Sequence, residues 1–151
     1  MLIRAKERIE AVNSGAITLV QDDIRTADLP ENHYCTIMAA AVLHHLRDDR
    51  DWEAVFTKLY RLLKPGGSLW IADLVVQETP AIQRLLYNER YGRYLAGLKD
   101  ETYRDSVFAY IEKEDTPRSV NFQMKLLEKV GFRSVELLHK HLCFASFGAI
   151  K

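Results

Sequence analysis

Neither sign of charge is in excess: Lys and Arg together number 21, and Asp and Glu also number 21. Such a balance does not call for a nucleic-acid or membrane partner, although a local basic patch fits inside a neutral total. Cysteine is scarce. Cys35 and Cys143 are the two instances, and no CxxC or ligand spacing links them, which excludes a disulfide framework or a thiolate zinc cluster. Both lie in apolar runs and are expected as small buried thiols in a reducing compartment. No apolar run approaches the roughly 20 residues that span a bilayer. The opening Met1-Leu2-Ile3-Arg4-Ala5-Lys6 starts an amphipathic helix rather than a basic segment followed by an apolar one, so no secretory leader is expected and a cytoplasmic protein is. None of the 7 glycines stands in the G-x-G spacing of a cofactor-cradling loop.

What is present describes a globular chain. Its 151 residues suffice for one domain with its own core, and 48% hydrophobic with 28% charged residues is ordinary for a soluble protein. Leu2, Ala5, Ile9 and Val12 recur at helical spacing until Asn13-Ser14-Gly15 ends them. Ala16–Val20 is a short β-rich run. Tyr34–Val42 is continuously apolar, as in a buried parallel strand. Trp52, Val55, Phe56, Leu59, Leu62 and Leu63 form a helical stripe that Pro65-Gly66-Gly67 stops, and Ser68–Val76 follows as a strand. The order so far predicts a doubly wound parallel sheet. The second half predicts a helix from Pro80 to about Leu98, a polar helix over Glu101–Ile111, and a helix that starts in Asp115-Thr116-Pro117-Arg118-Ser119 and ends at Gly131. Phe132–Leu138 and Leu142–Ile150 then read as an antiparallel hairpin joined by His139-Lys140-His141. His33, His139 and His141 are expected in turns, facing solvent.

Four stretches carry a family resemblance: LVQDDIRTADLP (19–30), YCTIMAAAVLHHLRD (34–48), LYRLLKPGGSLWIADL (59–74) and LLEKVGFRSVELLHKHLCFASFGAIK (126–151). In this order and spacing the chain resembles the class I S-adenosylmethionine-dependent methyltransferases. The four stretches are similar, in turn, to the third strand with its acidic turn, the fourth strand with a Leu-His-His ending, the helix, turn and fifth strand, and the closing helix and hairpin. The resemblance implies a Rossmann-like doubly wound sheet with a C-terminal antiparallel hairpin, truncated at the N-terminus. Residues 1–151 are expected to be one partial methyltransferase domain. The first strand, the glycine-rich loop, the second strand and the ribose-gripping acidic residue would precede Met1. The expectation is therefore a piece of a longer enzyme, with little affinity for cofactor by itself.

The resemblance also implies site residues. Asp23, with the backbone of Ile24, matches the position that holds the adenine of S-adenosylmethionine. Ala40 and Ala41 follow the middle of the fourth strand, where small side chains let the backbone approach the methionine end of the cofactor. His45 and His44 sit where the methyl would be presented and are the candidate catalytic residues, with His45 favoured; adjacent side chains leave a strand end in different directions, so one of the two is expected to face the pocket. No third ligand stands near them at a recognisable spacing, so no metal site is expected. Tyr87, Tyr91 and Tyr94 share a helix face, and Tyr87, Tyr91 and Arg104 are candidate substrate contacts. The expected function is methyl transfer to a small molecule. An RNA acceptor, as in the wobble-uridine tRNA group, is the rival reading, because Arg84, Arg90 and Arg93 interleave with the tyrosines. A non-catalytic, partner-binding remnant is a further alternative. Exposed strand edges leave room for a homodimer.

Overall fold

A computed structural model describes residues 2–151. Helix α1 (Leu2–Glu10) leads into an irregular segment, followed by strand β1 (Tyr34–Ala40), a single 3-10 turn (Leu43–His45), helix α2 (Asp49–Leu62) and strand β2 (Leu63–Leu74). Short helix α3 (Pro80–Gln83), a π-helical stretch (Arg84–Tyr91) and helix α4 (Gly92–Leu98) run on without a break. Helices α5 (Glu101–Glu114) and α6 (Val120–Val130) and the hairpin β3 (Arg133–His141) and β4 (Phe144–Ile150) complete the chain. The sheet has four strands in the order β1-β2-β4-β3; β1 and β2 are parallel, and the other pairs are antiparallel.

The core lies between one face of this sheet and helices α2 and α6. The α2 stripe seen in the sequence puts Trp52, Val55 and Phe56 fully inside, against Leu69 and Ile71 of β2 and Leu127 of α6. Asp48 starts α2 by accepting a hydrogen bond from the Asp51 N–H at 2.9 Å, and Ser119 caps α6 by accepting from Phe122 at 3.2 Å. Gly131 ends α6 in the left-handed region, φ 113°, where a Cβ is costly. The Pro65-Gly66-Gly67 turn is drawn into the start of β2, which pairs there with the chain end: Gly66 N–H donates to the Lys151 carbonyl at 3.0 Å. Gly67 has no room for a side chain, since a Cβ would lie 2.9 Å from the Lys64 carbonyl oxygen. Among the described residues no helix is long and apolar enough to cross a membrane.

Several expected boundaries move. Ala16–Val20 is not a strand, because no neighbouring strand offers it a ladder, and it remains irregular and largely exposed. Tyr34–Val42 is not buried on both sides: β1 forms one edge of the sheet, and Met38 is 79% exposed. For the same reason Cys35 is exposed, while Cys143 is buried as expected. The hairpin turn falls at Leu142-Cys143, with Leu142 at φ 52°, so His139 and His141 belong to β3. Asp115 does not start a helix; it caps the end of α5, and α6 begins five residues later at Val120.

Candidate functional site

Beyond the carboxyl ends of β1 and β2 the chain turns sharply. Ala41 takes the left-handed region, φ 52°, and its N–H donates to the Ala72 carbonyl at 2.9 Å. That kink leads into the Leu43–His45 turn, which is organised by one buried carboxylate, Asp73 at the end of β2. Asp73 Oδ2 accepts from the N–H groups of Leu43 (2.7 Å) and His44 (3.3 Å). Its Oδ1 accepts from the Leu74 N–H (2.7 Å) and bonds the His44 ring at Nδ1. The Asp73 hydrogen bond raises the His44 pKa above its ordinary value, against the opposing effect of burial.

A second buried carboxylate meets both histidines from the other side. Asp115 Oδ1 lies 2.8 Å from His45 Nδ1, and Asp115 Oδ2 lies 3.8 Å from His44 Nε2. The two imidazole centroids are 4.2 Å apart. Asp115 is held in place by the segment that follows it: the Thr116 N–H donates to the His44 carbonyl at 2.7 Å, and the Thr116 hydroxyl donates to the Leu46 carbonyl. The close approach of His45 Nδ1 to Asp115 Oδ1 lacks hydrogen-bond alignment, so this buried oxygen has no hydrogen-bond partner.

Asp115 also forms part of the wall of a cavity of about 360 Å³, with Leu74, Val75, Tyr87, Phe108 and Pro117 among its other walls. The π-helical stretch turns Tyr87 and Tyr91 onto α5 and the hairpin. Tyr87 stacks on Phe108 at 4.7 Å, and Tyr91 meets Phe144 edge-on at 5.4 Å. Burial drives the Tyr87 hydroxyl pKa well above its ordinary value. Of the three candidate substrate contacts, Tyr87 lines the cavity and Tyr91 packs behind it. Arg104 is turned to Asp105 (2.8 Å) and Glu101 (3.9 Å) on its own helix and does not line the cavity.

Ala40 and Ala41 are exposed at the strand end. Ile24 is half-buried against the core. Asp23 is exposed, but Arg25 occupies its carboxylate: Nη2 donates at 2.6 Å, and the pair holds the Asp23 pKa down at about 2. An adenine amino group at Asp23 would have to displace that guanidinium. Neither histidine is among the residues that line the cavity: His44 is buried against Asp73 and Asp115, and His45, the favoured of the two, is half-exposed. Yet both rings reach Asp115, a residue the sequence reading assigned to a helix start. Asp73 and Asp115 were the residues missed. Asp73 left a signal, a lone carboxylate inside the apolar run of β2; Asp115 left none, because it meets the histidines only through the tertiary fold.

Residues 1–67 match a family described as "Methyltransferase domain". The carboxy-S-adenosyl-L-methionine synthase of Desulfotalea psychrophila is 31% identical over 160 residues, a match covering 100% of this chain and 61% of that protein. A "Probable RNA methyltransferase" of Arabidopsis thaliana is 32% identical over 128 residues, covering 83% of this chain and 34% of that protein. Among solved structures, an S-adenosylmethionine-dependent methyltransferase from Mesorhizobium loti matches with a TM-score of 0.64 at 17% identity, over 100% of this chain and 76% of that one. Human N-acetylserotonin methyltransferase, in complex with its methyl donor, matches with a TM-score of 0.55 at 19% identity, over 87% and 33% of the two chains. At these identities the structural matches speak for the fold alone. The chain spans about 61% of the length of the Desulfotalea relative.

Proposed function

Because the chain belongs to the class I S-adenosylmethionine-dependent methyltransferases, we propose that the protein transfers a methyl group to a small molecule held in the cavity beside Asp115. The cavity carries this reading. At about 360 Å³, with walls from Leu74, Val75, Tyr87 and Phe108 and one buried carboxylate, it has the size and the mixed lining of a small-ligand site. It lies beyond the carboxyl end of β2, where sheets of this kind bind their ligands.

When bound, S-adenosylmethionine supplies a methyl on a positively charged sulfur. Ala40 and Ala41 would lie along its methionine end, and the Ile24 backbone with Asp23 along its adenine once Arg25 swings away. A hydroxyl or amine acceptor would have a proton to lose in such a transfer. Asp115, the buried carboxylate of the cavity wall, would take that proton; Glu112 lines the same cavity but is exposed. His45 and His44 would act through Asp115 by holding it in place; Asp73 fixes the His44 ring so that Nε2 faces that carboxylate. Tyr87 forms an aromatic wall for the acceptor. A cytoplasmic setting with free thiols, and a homodimer formed through the open edge of β1, belong to the same reading.

One observation favours an RNA acceptor. Arg90 and Arg93 stand exposed beside the tyrosines, with no carboxylate partner among the described residues. Incubating the protein isolated from its own cells with methyl-labelled cofactor, once with small metabolites and once with total RNA, separates the two. Label in the small-molecule fraction, lost on Asp115→Asn, is the expected result. Label confined to RNA, with a steep dependence on salt, would overturn it.

A further inference from the structure

The two histidines and Asp115 place three donor atoms within 4.8 Å of one another. We propose that His44 Nε2, His45 Nδ1 and the Asp115 carboxylate form a binding site for a divalent transition-metal ion of the zinc class, reaching the cavity of the proposed acceptor through Asp115.

The spacing suits such an ion. Metal–ligand bonds of roughly 2.0–2.1 Å in tetrahedral geometry put neighbouring donors roughly 3.3 Å apart. The observed separations, 2.8 Å from His45 Nδ1 to Asp115 Oδ1 and 3.8 Å from His44 Nε2 to the other carboxylate oxygen, lie on either side of that value, and the three donors lie within 4.8 Å, a spread that a small closure of the side chains would bring to it. The His44 tautomer suits it as well. With Nδ1–H donated to Asp73, a neutral ring turns the lone pair of Nε2 toward the Asp115 carboxylate. Two electron-rich groups then face each other, and a cation between them would satisfy both. A carboxylate that orients a histidine through its far nitrogen is the usual outer partner of a metal-bound imidazole. Charge points the same way. Asp73 and Asp115 are both buried, and among the described residues neither has a lysine or arginine partner. A dication would neutralise the pair. Last, Asp115 Oδ1 is buried with no hydrogen-bond partner, although His45 Nδ1 lies beside it. The two atoms remain free to share a third partner. Three protein ligands leave one position open, and the cavity at Asp115 can fill it.

Two protonated imidazoles could satisfy the same carboxylates, so the test must separate protons from metal. The purified protein is stripped with a chelator, dialysed and titrated with Zn²⁺, and in parallel with Co²⁺, without cofactor or acceptor. The expected result is one saturable equivalent, with Co²⁺ giving the visible bands of tetrahedral coordination. His45→Ala, at a half-exposed position that tolerates truncation, should abolish both. Asp73→Asn should weaken binding about 10–100-fold. His139→Ala combined with His141→Ala removes an exposed pair on β3 and should change nothing. Circular dichroism checks that each variant is folded. Absence of saturable binding overturns the proposal, as does binding that survives His45→Ala and disappears with His139 and His141. No methyl transfer enters this measurement, so its failure leaves the proposed reaction standing, and the reverse also holds.

Discussion

Cys143 is buried, which pushes its thiol up to about 12, while Cys35 is exposed on the edge strand. The nucleophile in thiol chemistry is the thiolate. One thiol per chain should therefore react quickly with a disulfide reagent at pH 8, and the second only after unfolding. Two fast thiols would mean that the hairpin turn opens readily. The same shift has a stability consequence. The folded state keeps Cys143 protonated after an unfolded thiol has begun to ionise near pH ~8.5. Stability should therefore fall as pH rises from there toward about 12, because the unfolded state binds fewer protons in that window. Urea midpoints between pH 7.5 and 9.5 should show this decline, and Cys143→Ala should flatten it. At the site, Asp115→Asn keeps the shape and removes the charge, so it should lower kcat about 10²-fold or more if Asp115 is the proton acceptor. A loss in KM alone would show that Asp115 binds the acceptor without taking its proton.

Ser119 decides where α6 begins and, by doing so, leaves residues 115–118 as an extended bridge to the histidines. Ser119→Ala should cost about 1 kcal/mol in urea unfolding. Trp52 is fully buried in α2 with its Nε1–H unpartnered. Trp52→Phe removes that unsatisfied donor, so it should cost clearly less than the roughly 3–5 kcal/mol of Trp52→Ala. Equal losses would show that the indole N–H has a partner after all. The elements whose partners lie nearby in sequence were the legible ones. The α2 stripe and the Gly131 stop are written in local spacing and appear at their expected places, whereas α6 starts only after Ser119, at the far end of the polar segment expected to open it. Ala16–Val20 was not legible, because a strand exists only where another strand pairs with it. The hairpin turn was misplaced because His139-Lys140-His141 is as polar as a turn, although exposed strands carry polar residues equally well. The π-helical stretch has no local signature in RLLYNERY, so the sequence shows a helix there but not which way its tyrosines face. The candidate site divides in the same way: His44-His45 is a local motif, and its partner Asp115 is set by tertiary packing.

At the scale of the molecule, helices α2 and α6 cover one face of the sheet. Leu69 and Ile71 of β2 face the core under α2 and α6, so the alternate residue Trp70 points to the other face, beside Met38 of β1. Met38 is 79% exposed and Trp70 is 36% exposed. Beyond β1 there is no further strand among the described residues, so its outward N–H and C=O groups are unpaired within the sheet. An apolar patch next to an open parallel edge favours pairing with another strand. Sedimentation of the purified chain over a range of concentrations should therefore give a mass that rises above 17.4 kDa. Met38→Lys puts a charge on that patch at a position too exposed to affect the core, and its effect on unfolding should stay within about 0.5 kcal/mol. It should nevertheless return the mass toward that of a single chain. Association that Met38→Lys does not reduce would place the contact elsewhere, and the Tyr94 side of the π-helical region, where Tyr94 is 57% exposed, would be the next surface to charge. A mass of 17.4 kDa at every concentration would mean that the edge of β1 is protected in solution, and the homodimer reading would fall.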